Sequence, residues 1–269
     1  MKIPGYFINL DRATARAEHM HAEAARLDLP ILREAAVDGT ALTDDQIAEL
    51  HSPVDGMHRL SGPEVGCFLS HRSVWKRIAD GPTDFGAVFE DDVTFADDTR
   101  TLLNDDSWLP SGAHIIKIET TARKALLLPP FEQVPHDRCL GQLASMHMGG
   151  GGYILSQETA VQLVAATQRF GAPVDYLLFS PEHMIFSQIP RWQLFPAICV
   201  QQVRSKLSFL PDGAEASGLD AARVSLKLKG WPKFKREITR PFTLGAKEFS
   251  ARHAACKSGG KWLSIEYRA

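Results

Sequence analysis

The chain has 269 residues, 44% of them hydrophobic and 23% charged, with a formal net charge of −2. That is an ordinary globular composition, sufficient for one large α/β domain or a domain with an appendage. It excludes a membrane-spanning helix, because no stretch approaches the roughly 20 uninterrupted apolar residues one requires.

The N-terminus, MKIPGYFINLDR, does not read as a signal peptide, since its short apolar run leads straight into Asp11 and Arg12. The four cysteines (Cys67, Cys139, Cys199, Cys256) are far apart and form no C-x-x-C pair. They read as reduced thiols in a cytoplasmic protein, with neither a disulfide framework nor a structural zinc.

Residues 3–10 are short, apolar and bounded by turn chemistry, which predicts a buried strand. Asp11 is placed to cap a following helix on which Met20, Ala24 and Leu27 recur at helical spacing. A second strand is expected over 31–37. Thr43-x-x-Gln46 is a capping box for a short helix. The signal at Ser61-Gly-Pro-Glu64 is stronger: an N-cap, a proline in the first turn and the reciprocal Glu. Its helix carries Val65, Phe68, Leu69, Trp75 and Ile78, with Ser70 and His71 in the middle, and Gly81-Pro82 ends it.

A strand from Phe85 then runs into three successive carboxylates, Glu90, Asp91 and Asp92. Another strand is expected over 113–120. Segment 121–145 reads as irregular. A glycine-rich turn delivers a strand ending at Ser156, which caps a helix over 157–169. Residues 172–179 read as a turn into a helix or an apolar loop, 193–202 as the last core strand, and 210–220 as a linker. Strands alternating with helices predict an α/β fold with a mainly parallel sheet.

A parallel sheet binds ligands beyond the carboxyl ends of its strands, where the triplet falls. Alternation places Glu90 and Asp92 on one side and Asp91 on the other. Charges gathered at a half-buried strand end are costly unless a cation compensates them, which points to a divalent metal held by oxygen ligands. A solvated acidic loop is the competing reading.

Taken together, INLDRATAR (8–16), AAVDG (35–39), LSGPEVGCFLSHRSVW (60–75), AVFEDDV (87–93), HIIKIE (114–119), GGYILS (151–156), PVD (173–175) and FPAICVQQ (195–202) resemble glycosyltransferase family 25. That family includes bacterial lipooligosaccharide glycosyltransferases and animal collagen galactosyltransferases. The resemblance covers roughly residues 3–205, so the organisation expected is a GT-A-like domain over 1–209, the linker, and a basic segment over 221–269.

The resemblance implies inverting transfer of galactose or glucose from a UDP-sugar to a saccharide or lipid-linked saccharide acceptor, in lipopolysaccharide or lipooligosaccharide synthesis. It also implies Mn2+ or Mg2+ at Glu90 and Asp92, with Asp91 beside the donor. Asn9, Asp11, Arg12 and Arg16 are implied at the uridine, ribose and phosphates, and Asp38 is expected either at the base or ribose or only in the turn before Gly39. Ser70 and His71 are expected near the phosphate or metal, Lys117 either at the donor sugar or in a surface ion pair with Glu119, with which it alternates on the strand, and Gln201 closing the diphosphate site. Gly151 and its neighbours would let backbone approach a sugar ring, on which Tyr153 would stack.

Inversion needs a carboxylate to take the acceptor proton; Asp175 is the first candidate and Glu182 the second. His147 and His183 are looser metal candidates. The rival readings are a metal-dependent phosphohydrolase and a catalytically idle nucleotide-sugar-binding module.

From Ala221 onward the sequence holds 12 basic and 3 acidic residues. Leu226, Leu228, Trp231 and Phe234 interleave with lysines there, and Pro232 breaks any continuous helix. The segment suits an anionic membrane surface, or else packs on the acidic body. No nucleic-acid partner is expected.

Overall fold

A computed structural model describes residues 2–54, 57–181, 183, 189–202 and 259–269. The strands are β1 (Gly5–Asn9), β2 (Ile31–Ala35), β3 (Phe85–Glu90), β4 (Val93–Phe95), β5 (Ile115–Lys117), β6 (Glu119–Thr120), β7 (Lys124–Val134), β8 (Arg138–Leu143), β9 (Gly152–Ser156), β10 (Arg191–Phe195), β11 (Cys199–Gln201) and β12 (Lys261–Ser264). The helices are α1 (Thr14–Arg26), α2 (Asp44–Leu50), α3 (Gly62–Ala79), α4 (Thr99–Asn104), α5 (Gln157–Ala166) and α6 (Val174–Phe179).

Nine strands form one sheet in the order β12-β7-β8-β10-β5-β9-β3-β1-β2, and β4-β11-β6 form a second, small one. The expected α/β architecture is present. Its parallel pairs are β1 with β2, β1 with β3, and β5 with β10. The sheet as a whole is mixed: β9 enters antiparallel between β3 and β5, and β8, β7 and β12 continue antiparallel beyond β10.

Alternating strand residues separate two apolar layers. Ile8, Val88, Ile115 and Leu155 pack with Phe68 and Trp75 of α3 and Leu163 of α5. Phe7, Phe89, Ile116 and Ile154 pack on the other face with Met20 of α1 and Leu102 of α4. Both capping boxes form as the sequence predicts, at Thr43 and at Ser61. Asp11 does not cap α1: the N-cap is Ala13, without a side-chain bond, and Asp11 pairs with Arg33 at 2.6 Å.

Segment 121–145 is not irregular. It is mostly the antiparallel hairpin β7–β8, whose tight end places His136 and Asp137 at positive φ. Pro129 and Pro130 obscure the strand in the sequence, and they sit where the register shifts between Leu128 and Glu132.

The strands expected over 113–120 and 193–202 each break in two. The chain leaves the large sheet at Lys117 and at Phe195 and joins the small one at Glu119 and at Cys199. These crossings carry Glu119 and Gln201 above the carboxyl end of β3.

The last residues of the expected basic segment belong to the body. β12 pairs antiparallel with β7, Ile265 is buried, and buried Arg138 donates to the carbonyl of Arg268 at 3.0 Å. The linker and the Trp231–Phe234 region lie outside the described residues. Among the described residues, no helix is long and apolar enough to cross a membrane.

Candidate active site

Glu90 ends β3, and the turn that follows holds Asp91 and Asp92, both only 9% exposed. The three carboxylates have different partners. Asp91 accepts from Asn9 Nδ2 at 2.7 Å and pairs with Arg16 at 2.9 Å. Glu90 accepts from Gln201 Nε2 at 2.7 Å, and the same amide lies 3.4 Å from Asp92 Oδ1. Glu90 and Asp92 therefore share one side under Gln201, and Asp91 faces the other. Among the described residues, no cation lies within ion-pairing distance of Asp92.

The electrostatics follow from this arrangement. Burial, then the charge of Glu90, pushes the Asp92 carboxyl up to about 7. For Glu90, burial acts upward, but His71, Lys117 and Gln201 outweigh it and hold the carboxyl below its ordinary value.

Lys117 and Glu119 form a fully buried ion pair at 3.0 Å. Lys117 also donates to the Gly149 carbonyl and lies 4.2 Å from the Phe179 ring centroid. It is thus a structural cation under the glycine run, with no exposed surface to offer a donor sugar. Glu119 Oε2 accepts from the Gly151 amide at 2.9 Å. Gly149 has φ +111°, which a side chain rarely tolerates, and a Cβ there would meet the Glu119 carboxylate at 2.9 Å. The glycines therefore let backbone close onto Glu119, and the Gly149 amide donates to Asp175 at 3.2 Å. Asp175, in the first turn of α6, also accepts from the Tyr176 amide at 2.9 Å.

Glu90, Asp91, Asp92, Arg16, His71, Gln201, Lys117, Gly151 and Asp175 thus lie in one contiguous network. Four residues expected at the donor are held in buried contacts of the fold itself. Tyr153 is wholly buried, and its hydroxyl accepts from Trp75 at 2.7 Å and bonds His71 Nδ1 at 2.9 Å, so it cannot stack on a sugar. Asn9, 1% exposed, braces Asp91 from beneath. The Ser70 hydroxyl is consumed by the Gly66 carbonyl (2.6 Å) and the Val37 amide (2.8 Å), joining α3 to the chain after β2. Lys117 is the fourth.

Asp38 caps the turn at Gly39–Ala41 and pairs with Arg12 at the surface, whereas Asp11 reaches the carboxylate network through Arg33, which pairs with Asp11 at 2.6 Å and donates to Asn9 Oδ1 at 2.9 Å. His147 bonds Gln193 at 3.0 Å and Thr121 at 3.2 Å, as a satisfied core residue. Glu182 lies outside the described residues. The alternation of Lys117 and Glu119 gives the ion pair that was one of the two expectations for Lys117, but the pair is fully buried where a surface pair was expected.

Tyr153→Phe leaves two buried nitrogens, on Trp75 and His71, without their shared oxygen. Chemical unfolding is expected to show a loss of about 1–3 kcal/mol. Unchanged stability would show that the hydroxyl does not brace His71.

The family model described as "Glycosyltransferase family 25 (LPS biosynthesis protein)" matches residues 2–178. A lacto-N-neotetraose biosynthesis glycosyltransferase, LgtE of Neisseria meningitidis, is 28% identical over 249 residues, 87% of this chain and 88% of its own. LgtB of the same species, also a lacto-N-neotetraose biosynthesis glycosyltransferase, is 30% identical over 208 residues, 74% of each. Lipooligosaccharide biosynthesis protein lex-1 of Haemophilus influenzae is 29% identical over 196 residues, 67% of this chain and 62% of its own. The protein is an α/β glycosyltransferase. It belongs to glycosyltransferase family 25.

Proposed function

We propose that this protein is an inverting hexosyltransferase. It would move galactose or glucose from a UDP-sugar to a saccharide of a growing lipooligosaccharide, with Mn2+ or Mg2+ at Glu90 and Asp92. The observation that carries the reading is the carboxylate pair at the end of β3. Asp92 is nearly buried and stands beside Glu90; the charge of Arg16 acts on it from beyond ion-pairing distance and does not offset burial and the neighbouring carboxylates. An all-oxygen set with an amide alongside fits a hard divalent ion. When bound, that ion would neutralise the diphosphate leaving group. The relatives named for lacto-N-neotetraose and lipooligosaccharide biosynthesis support the acceptor class.

Asp175 accepts the proton of the acceptor hydroxyl as its oxygen bonds to the anomeric carbon. The bond from that carbon to the diphosphate oxygen breaks on the opposite face, and UDP leaves. Arg16, already paired with Asp91, faces the phosphates from the α1 side. A lipid-linked acceptor at an anionic membrane surface would give the basic segment before β12 a purpose.

A thermal-shift screen of UDP-, GDP- and CMP-sugars, with and without manganese, tests the reading. A ligand that binds only the native state raises its melting temperature. UDP-galactose or UDP-glucose is expected to stabilise only when manganese is present. Stabilisation by another nucleotide class, or equal stabilisation in excess chelator, would sink the proposal.

A further inference from the structure

We propose that Cys67, His71 and Glu90 form a second cation site, for a thiophilic divalent ion such as zinc, which draws on the same Glu90. Cys67 and His71 are one turn apart on one face of α3, and Glu90 reaches them from the end of β3. One ligand atom from each residue lies within 4.8 Å of the other two. His71 is 1% exposed, and its Nε2 makes no hydrogen bond. Glu90 Oε1 lies 3.5 Å from that nitrogen, at the outer limit for a useful bond. A buried ring nitrogen left this way is costly and calls for a partner.

The surroundings suit a metal-bound imidazole. Such a ring uses its second nitrogen to donate to an outer partner. Here the Tyr153 hydroxyl has two lone pairs, one taken by Trp75 and one available to His71 Nδ1. Space above the pair is kept by Gly150, where a Cβ would lie 3.2 Å from Glu90 Oε1 and 3.7 Å from His71 Nε2. A thiolate, an imidazole and a carboxylate favour zinc over manganese or magnesium, and three protein ligands leave one position open. On binding, the Cys67 thiol releases its proton to solvent, so affinity rises with pH.

The site stands on its own ligand chemistry. Only its effect on transfer rests on the function proposed above, since an ion holding Glu90 would withdraw it from the donor pair and inhibit.

Cobalt is the reporter, because thiolate ligation gives a near-ultraviolet charge-transfer band. Full-length wild-type protein titrated with Co2+ is expected to show that band, and zinc to displace it. Cys67→Ser should remove the band, and Cys67→Ser and His71→Gln should each weaken zinc binding at least ~10-fold, with folding checked by circular dichroism. Zinc should also inhibit wild-type transfer in manganese but not Cys67→Ser, each measured against its own uninhibited rate. Cobalt binding without a thiolate band, or a band that survives in Cys67→Ser, overturns the proposal. Asp92→Asn separates the two sites. If the donor reading fails, manganese-dependent donor binding is missing while the cobalt band remains.

Discussion

Asp92→Asn is expected to abolish transfer and, in the same protein, to raise the metal-free melting temperature at pH 8. Burial and Glu90 push the wild-type carboxyl from its ordinary 3.8 up to about 7. The folded chain therefore binds a proton more tightly than the unfolded chain. The contribution of Asp92 to metal-free stability is fully present below about pH 4, falls as pH rises through that window, and is lost above about 7. Asn keeps the shape and removes the charge. At pH 8 the gain should be on the order of 2–4 kcal/mol, from the worth of each pKa unit over that interval. The gap should close toward pH 4.

Manganese with a UDP-sugar should then stabilise the wild type and leave the variant unmoved. A variant less stable than wild type at pH 8, or one that still transfers sugar, would show that Asp92 is not held in electrostatic strain for a cation. Removing a functional charge commonly stabilises a fold in this way.

What was legible in the sequence is what short-range chemistry encodes. The boxes at Thr43 and Ser61 formed because each is closed by bonds within three residues. The side-sharing of Glu90 and Asp92 followed from strand alternation carried into the turn. What failed depends on depth and on partners distant in the chain. Asp11 has the right side chain for a cap, but Arg33 on the neighbouring strand claims it. Tyr153 and Asn9 were placed near the right strand ends. Their burial comes from α3 above one and the Asp91 turn above the other, and no local pattern records that. The β7–β8 hairpin was hidden because its prolines break the alternation where the strands lose register. The Cys67–His71 spacing was present all along, but its meaning needed Glu90, which comes from another element.

Asp175→Asn is expected to lower turnover by about 10²–10⁴-fold, the usual worth of a positioned base, with donor affinity little changed. The geometry gives Asp175 this role for two reasons. Pro173 starts α6, so the carboxylate stands in the first helical turn, where Oδ1 accepts from the Tyr176 amide at 2.9 Å. Oδ2 accepts from the Gly149 amide at 3.2 Å, which fixes the carboxylate against the glycine run that also meets Glu119 and Glu90. Each oxygen keeps lone-pair capacity for an acceptor hydroxyl. Asn can hold the same position, but its carbonyl oxygen cannot take up the proton. Its amide nitrogen would also face one of the two backbone donors, so a modest loss of stability is expected alongside.

Separating these effects requires two measurements on one preparation. Donor binding followed by manganese-dependent thermal shift should stay near wild type, while single-turnover transfer to a saccharide acceptor falls. If transfer persists in Asp175→Asn and disappears in Glu182→Gln, the base is Glu182, and the Asp175 carboxylate serves only to hold Gly149 in place.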